Sequence, residues 1–389
     1  TNVALTTPQP FRERMVRFWS NHLVVPVIKQ PTAVLAGPYE REVIRPHTTG
    51  KFADMLLASA RNPGMTYFLD NHLSAGPNSA YGQRHKIGLN ENLGREILEL
   101  HTLGVDGGYT QADVIALSKG ITGWAFWPNA GRPENRDPKN AGRTPGAFNY
   151  FDEWHEPGPI VLMGKSYGQS GVAQGEAMLH DVARHPATAR FLAGKLAAHF
   201  IGDDPPRAVV KRLAAVYLAH DTDLAEVCRA LVEAPEAWAA AQSKLKQPED
   251  YVLSGMRSLN LTLADNVVPA PSMYRFPGYR PPPASAGAPY SLAYDAAAGM
   301  GQKPMGAPGP QGWYDRWADW SSADSLLKRV EWSLATATAH ADRVEDPVRY
   351  LDQTLGGLAS QDLRDSVKRA ATKDQAIGLV LASPDFQRR

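Results

Sequence analysis

Apolar residues in this chain recur at the spacing of a helix, and nowhere do strand-like runs alternate with helices. In FRERMVRFWSNHLVV (11–25) they fall at positions 11, 15, 18, 19 and 23, the 3.6-residue period that lays one helix face on a core. The same period organises residues 51–73, broken near Asn62-Pro63. It returns from Glu91 to Leu103, with Gly104 as a natural stop, and after Thr110, where Asp113 three residues on completes a capping-box pattern. Residues 172–202, 207–220, 223–238, 248–263 and the tail from Ser322 read the same way. Two stretches, 127–172 and 267–312, are instead rich in Pro, Gly and Asn. In the first, the strand-like runs Ala147–His155 and Ile160–Lys165 predict one short hairpin. The expectation is an all-α fold: one elongated helical domain over 1–389 with irregular insertions at 127–172 and 267–312, in which 248–389 could stand as a C-terminal subdomain.

The 41 basic and 40 acidic residues nearly cancel, which removes any electrostatic argument for nucleic acid or an anionic membrane. No apolar run approaches the ~20 residues that span a bilayer. A single cysteine, Cys228, allows no internal disulfide. The chain begins at Thr1, consistent with either a fragment or a processed form whose export signal lay upstream. There is no HExxH zinc motif, P-loop, GxSxG elbow or CxxC pair. GREILELH gives Glu-x-x-Glu with His two residues on, not the paired Glu-x-x-His of a helical di-iron site. Neither a cofactor nor a metal is specified.

The helix at 91–103 holds the most informative polar residues. On a wheel of 100° per residue starting at Glu91, Leu93, Ile97, Leu100 and Leu103 occupy an arc from about 120° to 240°. Glu91, Arg95 and Glu99 fall on the opposite side and predict a solvated ladder of (i, i+4) pairs. Glu96, at about 140°, lies inside the apolar arc, where a carboxylate must be paired, hydrogen-bonded or protonated. His101 falls near 280°, beside the arc. His22 sits in the middle of the apolar face of 11–25, either as a satisfied core residue or as an acid/base group tuned by burial; the neighbouring Asn21 could orient a substrate. His155, among Asp152, Glu153 and Glu156, is a solvated loop residue or part of a hard metal site. Asp70 and Asn71 end a helix before a turn, where capping explains them as well as binding does. Arg41 and Arg45 read as salt-bridge partners of Glu40 and Glu42, and His199 as core.

The stretch ENLGREILELHTLGVDGGYTQADVIALSKGITGW, with FRERMVRFWSNHLVV, YEREVIRPH, FLDNHLSAGPNS and HPATARFLAGKLAAHF, resembles the bacterial domain-of-unknown-function-1800 family over nearly the whole chain. The resemblance implies an exported, largely helical protein, periplasmic or extracellular, encoded beside a sulfatase-like exported protein that would be its partner. It supplies no reaction. The enzymatic expectation is a hydrolase or lyase acting on an extracytoplasmic polymer such as a polysaccharide. Glu96, His22 and His155 would be catalytic, and Asn21, Asp70, Asn71, His101 and Trp124 substrate-binding. A metal-dependent variant gathers His22, His155 and Glu96 round one ion. The alternative is a non-enzymatic exported scaffold or assembly partner of the sulfatase-like protein, with 267–312 as its docking surface.

Overall fold

The computed structural model describes residues 2–127, 144–238, 244–268 and 290–389. The expected irregular insertions therefore fall partly outside the described residues, at 128–143 and 269–289. The fold is all-α, as the apolar period requires; among the described residues strands contribute only short antiparallel pairs. The chain divides into two compact units. One comprises 1–13, 240–304 and 314–389, the other 14–239 and 305–313. Among the described residues no helix is long and apolar enough to cross a membrane.

Local chemistry sets the helix ends in the 14–239 unit. Helix Phe52–Arg61 stops at Asn62. The Asn62 side chain accepts from Gly64 N–H at 2.8 Å and Pro63 opens the next helix, Pro63–Phe68, because a first-turn proline forfeits no helical hydrogen bond. Thr110 and Asp113 form the expected reciprocal capping box of helix Gln111–Gly120. Helix Asn92–Glu96 packs so closely on Gln111–Gly120 that a Cβ on Gly94 would lie 2.1 Å from Ser118 Oγ. The core of this unit includes the fully buried Trp19, Phe52, Met55, Leu98, Leu117, Trp124 and Leu213.

The pairing of the short strands differs from expectation. Ile160–Leu162 turns back onto Lys165–Tyr167. Met163 and Gly164 both have positive φ, 49° and 80°, the backbone of a two-residue hairpin turn. That turn consumes the run expected to pair with 147–155. Phe148–Tyr150 pairs instead with Trp124–Phe126, with Trp124 opposite Tyr150.

In the other unit the core centres on helix Pro248–Ser258 and the C-terminal helices. Tyr251, Val252, Leu351, Ile377, Val380 and Leu381 are buried together, and Tyr251 Oη donates to the Leu381 carbonyl at 2.9 Å.

Candidate functional site

The helix expected at 91–103 changes register part-way. Residues Asn92–Glu96 are α-helical, and Ile97–His101 form a π turn. A π turn adds one residue to a helical turn and occurs disproportionately at functional sites. Every residue after it is re-phased by about 100°. His101, expected beside the apolar arc, closes the turn and is 1% exposed, and Leu98 within it is fully buried.

Glu96 and Glu99 lie at the start and middle of this turn, both half-buried. Burial, then the neighbouring Glu99, pushes the Glu96 carboxyl up to about 7, against the opposing pull of Arg95. Among the described residues no hydrogen bond or ion pair engages the Glu96 carboxyl. Its neighbours are all engaged. Arg95 Nη2 donates to Glu91 Oε2 at 2.9 Å and to Gln111 Oε1 at 2.9 Å. Glu99 bonds the Tyr109 hydroxyl, whose pKa is raised first by burial and then by Glu99. The predicted ladder thus exists between Glu91 and Arg95, while Glu99 is turned to Tyr109 by the change of register.

His22 supports the end of the turn. Lys195 Nζ lies 3.0 Å from His22 Nδ1. An ammonium can only donate, so Nδ1 accepts and the ring proton resides on Nε2. From there it is donated to the His101 carbonyl oxygen at 3.0 Å. Burial, then the charge of Lys195, holds His22 well below the usual histidine range. The same two causes push His101 down to about 3. Both rings are neutral at physiological pH, with centroids 6.4 Å apart. Among the described residues the His101 ring nitrogens have no hydrogen bond.

His155 belongs to a separate network. Its Nδ1 faces the Thr122 carbonyl at 3.0 Å and its Nε2 faces Gln174 Oε1 at 3.1 Å. The Gln174 amide orientation follows from its Nε2, which donates to the Gly158 and Tyr167 carbonyls at 3.1 and 2.9 Å. The adjacent Glu156, 4% exposed, accepts from Asn78 N–H at 3.0 Å, Asn78 Nδ2 at 2.7 Å and Lys119 Nζ at 3.0 Å.

The remaining candidates are tied to backbone, ion-paired or buried. Asn21 exchanges two hydrogen bonds with the Trp313 backbone, donating at 2.9 Å and accepting at 2.7 Å. Asn71 Nδ2 donates to the carbonyls of Ile121 and Trp124 at 3.2 and 2.8 Å. Asp70, at φ 57°, pairs with Lys29 at 2.7 Å. Trp124 is fully buried, with the Arg61 guanidinium 5.3 Å from its ring centroid. Arg41 and Arg45 pair with Glu42 and Glu40, and His199 packs on Phe18, as the sequence suggested.

The structure therefore joins His22 to His101, and through the π turn to Glu96, but leaves His155 among different partners. Among the described residues no three His, Cys, Asp or Glu side chains could hold a metal ion. His22, His155 and Glu96 thus do not assemble into the metal site considered from sequence. Two participants escaped the sequence reading, Lys195 and Tyr109, while Glu156 entered it only as a loop neighbour of His155. Lys195 carries a usable signal, because Phe191, Lys195 and His199 recur every four residues and so share a helix face.

A family model described as "Protein of unknown function (DUF1800)" matches residues 1–388, and the chain belongs to that family. No curated protein and no solved structure matches it.

Proposed function

We propose that this DUF1800 member is an exported hydrolase or lyase acting on an extracytoplasmic polymer such as a polysaccharide, with Glu96 as its general acid-base. The observation that carries the reading is the unpartnered carboxyl of Glu96 at the entrance to the π turn, beside Glu99 and its Tyr109 partner. A carboxyl that titrates near neutrality can hold a proton and release it within one turnover. In hydrolysis it would protonate the leaving oxygen as the bond to carbon breaks, water would supply hydroxide to that carbon, and the remaining water proton would return to Glu96. In this reading His22 is not a proton-transfer group, because both of its ring nitrogens are already committed. Export is what the family resemblance implies, and the polymeric substrate is part of the proposal itself.

The test is incubation of the full chain with a panel of bacterial extracellular polysaccharides. New reducing ends would score hydrolysis, and ultraviolet absorbance of unsaturated ends would score elimination. Activity lost in Glu96→Gln is expected. Activity unchanged in that variant, or absent across neutral and uronate-rich polymers, refutes the assignment.

A second reading, a scaffold that docks a sulfatase-like exported partner, is favoured by one feature. In helix Ala323–His340 the side chains of Leu327 and Leu334 are 54% and 50% exposed, with Val330 between them, while Ser325, Arg329 and Ser333 are buried. An apolar stripe turned outward with polar residues turned inward suits a partner surface. Co-elution with the sulfatase-like protein, abolished by Leu327→Asp with Leu334→Asp, would be its signature.

A further inference from the structure

We infer that His22, fixed by Lys195, is a positioning residue that holds the π turn in the register presenting Glu96 and Glu99. The inference rests on the acid-base reading of Glu96 for its functional meaning, but its structural content stands apart from any activity.

The argument starts from the end of the turn. The last carbonyls of a helix have no partner within it, and a buried carbonyl without a donor costs about 1–3 kcal/mol. Here the residue closing the π turn, His101, has its carbonyl satisfied from another helix by His22 Nε2–H at 3.0 Å. The Thr102 hydroxyl donates to the Ile97 carbonyl at the turn's start. In a continuous α-helix the His101 carbonyl would seek the N–H four residues on, and His101 itself would swing away from the core. The His22 bond therefore selects for the π register.

That bond depends on which ring nitrogen of His22 is protonated. Lys195 Nζ, donating to Nδ1, leaves the proton on Nε2. The Phe18, Trp19, Phe52 and Phe191 rings pack round the imidazole, with centroids 5.5 to 6.3 Å away, and exclude water that could substitute. The charge and the donor thus come from helix Pro186–Phe200, the imidazole from helix Pro10–His22, and the acceptor from the turn itself.

The experiment compares the full chain with His22→Phe, His22→Gln and Lys195→Met. Glutamine can place an amide donor near the position of Nε2; phenylalanine cannot. Amide hydrogen exchange across 97–103 reports the register, and carbon NMR of labelled glutamate reports the Glu96 midpoint. In His22→Phe, exchange across 97–103 should accelerate about tenfold or more, and the Glu96 midpoint should fall by about one unit or more toward the ordinary carboxyl value. His22→Gln should retain most of both properties, a rescue that general loss of core packing would not produce. Folded His22→Phe with unchanged exchange and midpoint overturns the inference. If His22→Phe does not fold, Lys195→Met decides: several-fold faster exchange confined to 97–103 supports the inference, and wild-type exchange there overturns it. Failure of the catalytic reading would appear separately, as full activity in Glu96→Gln, without altering these exchange results.

Discussion

Replacing Glu96 by glutamine should make the protein more stable above neutral pH, and by an amount that vanishes in acid. The folded-state carboxyl titrates near 7 against 4.5 for the unperturbed group, because burial and Glu99 penalise its charged form. Below about pH 4 the group is protonated in both folded and unfolded chains, and wild type and variant should match. Between 4.5 and about 7 the unfolded chain sheds the proton while the folded chain retains it, so wild-type stability falls as pH rises. Above the folded value the penalty is constant. At 1.36 kcal/mol per unit the shift would amount to roughly 3.4 kcal/mol. Glu96 is only half-buried, so solvent screening reduces the expectation to about 1–2 kcal/mol. Urea unfolding of wild type and Glu96→Gln from about pH 4 to pH 8 measures the gap directly. A gap independent of pH, or a wild type that gains on the variant as pH rises, would refute the account of this carboxyl.

Other consequences are open to the same unfolding assay. Asn71→Ala should cost about 2–4 kcal/mol, since the buried Ile121 and Trp124 carbonyls both lose their donor; a cost under about 1 kcal/mol would mean water replaces the amide. Burial pushes the Glu156 carboxyl up, but the Asn78 and Lys119 donors outweigh it and hold the group below its usual value. Its contribution is therefore present above the unfolded carboxyl value and lost as pH falls through the folded one. Glu156→Gln should be less stable by about 1–3 kcal/mol at neutral pH, with the difference shrinking in acid. Gly94→Ala must push apart two helices, since its Cβ would meet Ser118 Oγ at 2.1 Å; about 1–3 kcal/mol is expected, and a neutral effect would show the contact to be loose.

Helix existence was legible in the sequence wherever apolar period and end signals agreed. The Asn62-Pro63 break and the Thr110–Asp113 cap appear where the chemistry demands them. What the 100° wheel could not contain was the π turn. It assumes one register throughout, so it misplaced His101 and left Leu98 outside the apolar arc, although both are buried. The hairpin partners were missed for a related reason: the turn is Met163-Gly164, and methionine at positive φ is not a residue that sequence rules associate with such turns. The fate of the candidate polar residues was illegible because it depends on distant partners. His22 meets Lys195, 173 positions away, and Asn21 meets Trp313, 292 positions away. No local pattern encodes those meetings.

The contrast among carboxyl groups of the 14–239 unit sets Glu96 apart from the other polar residues buried there. Glu156, nearly inaccessible, accepts from three donors. Asp113 accepts from Met163 N–H at 2.6 Å and from both the N–H and hydroxyl of Thr110. Glu91 is held by Arg95 and Gln111, and Glu99 by Tyr109. Around Glu96 the same chain supplies hydrogen-bonding side chains in quantity and directs each of them elsewhere. Folding stability alone would favour an apolar side chain or a donor at that position, and under the proposed function that departure from local consistency is the cost of keeping a proton-transfer group there. The unusual helical register that follows it, held from outside by His22 and Lys195 in the inference above, fits that reading: the turn is maintained against the ordinary α-helical alternative, and the carboxyl at its entrance is the one left without a partner.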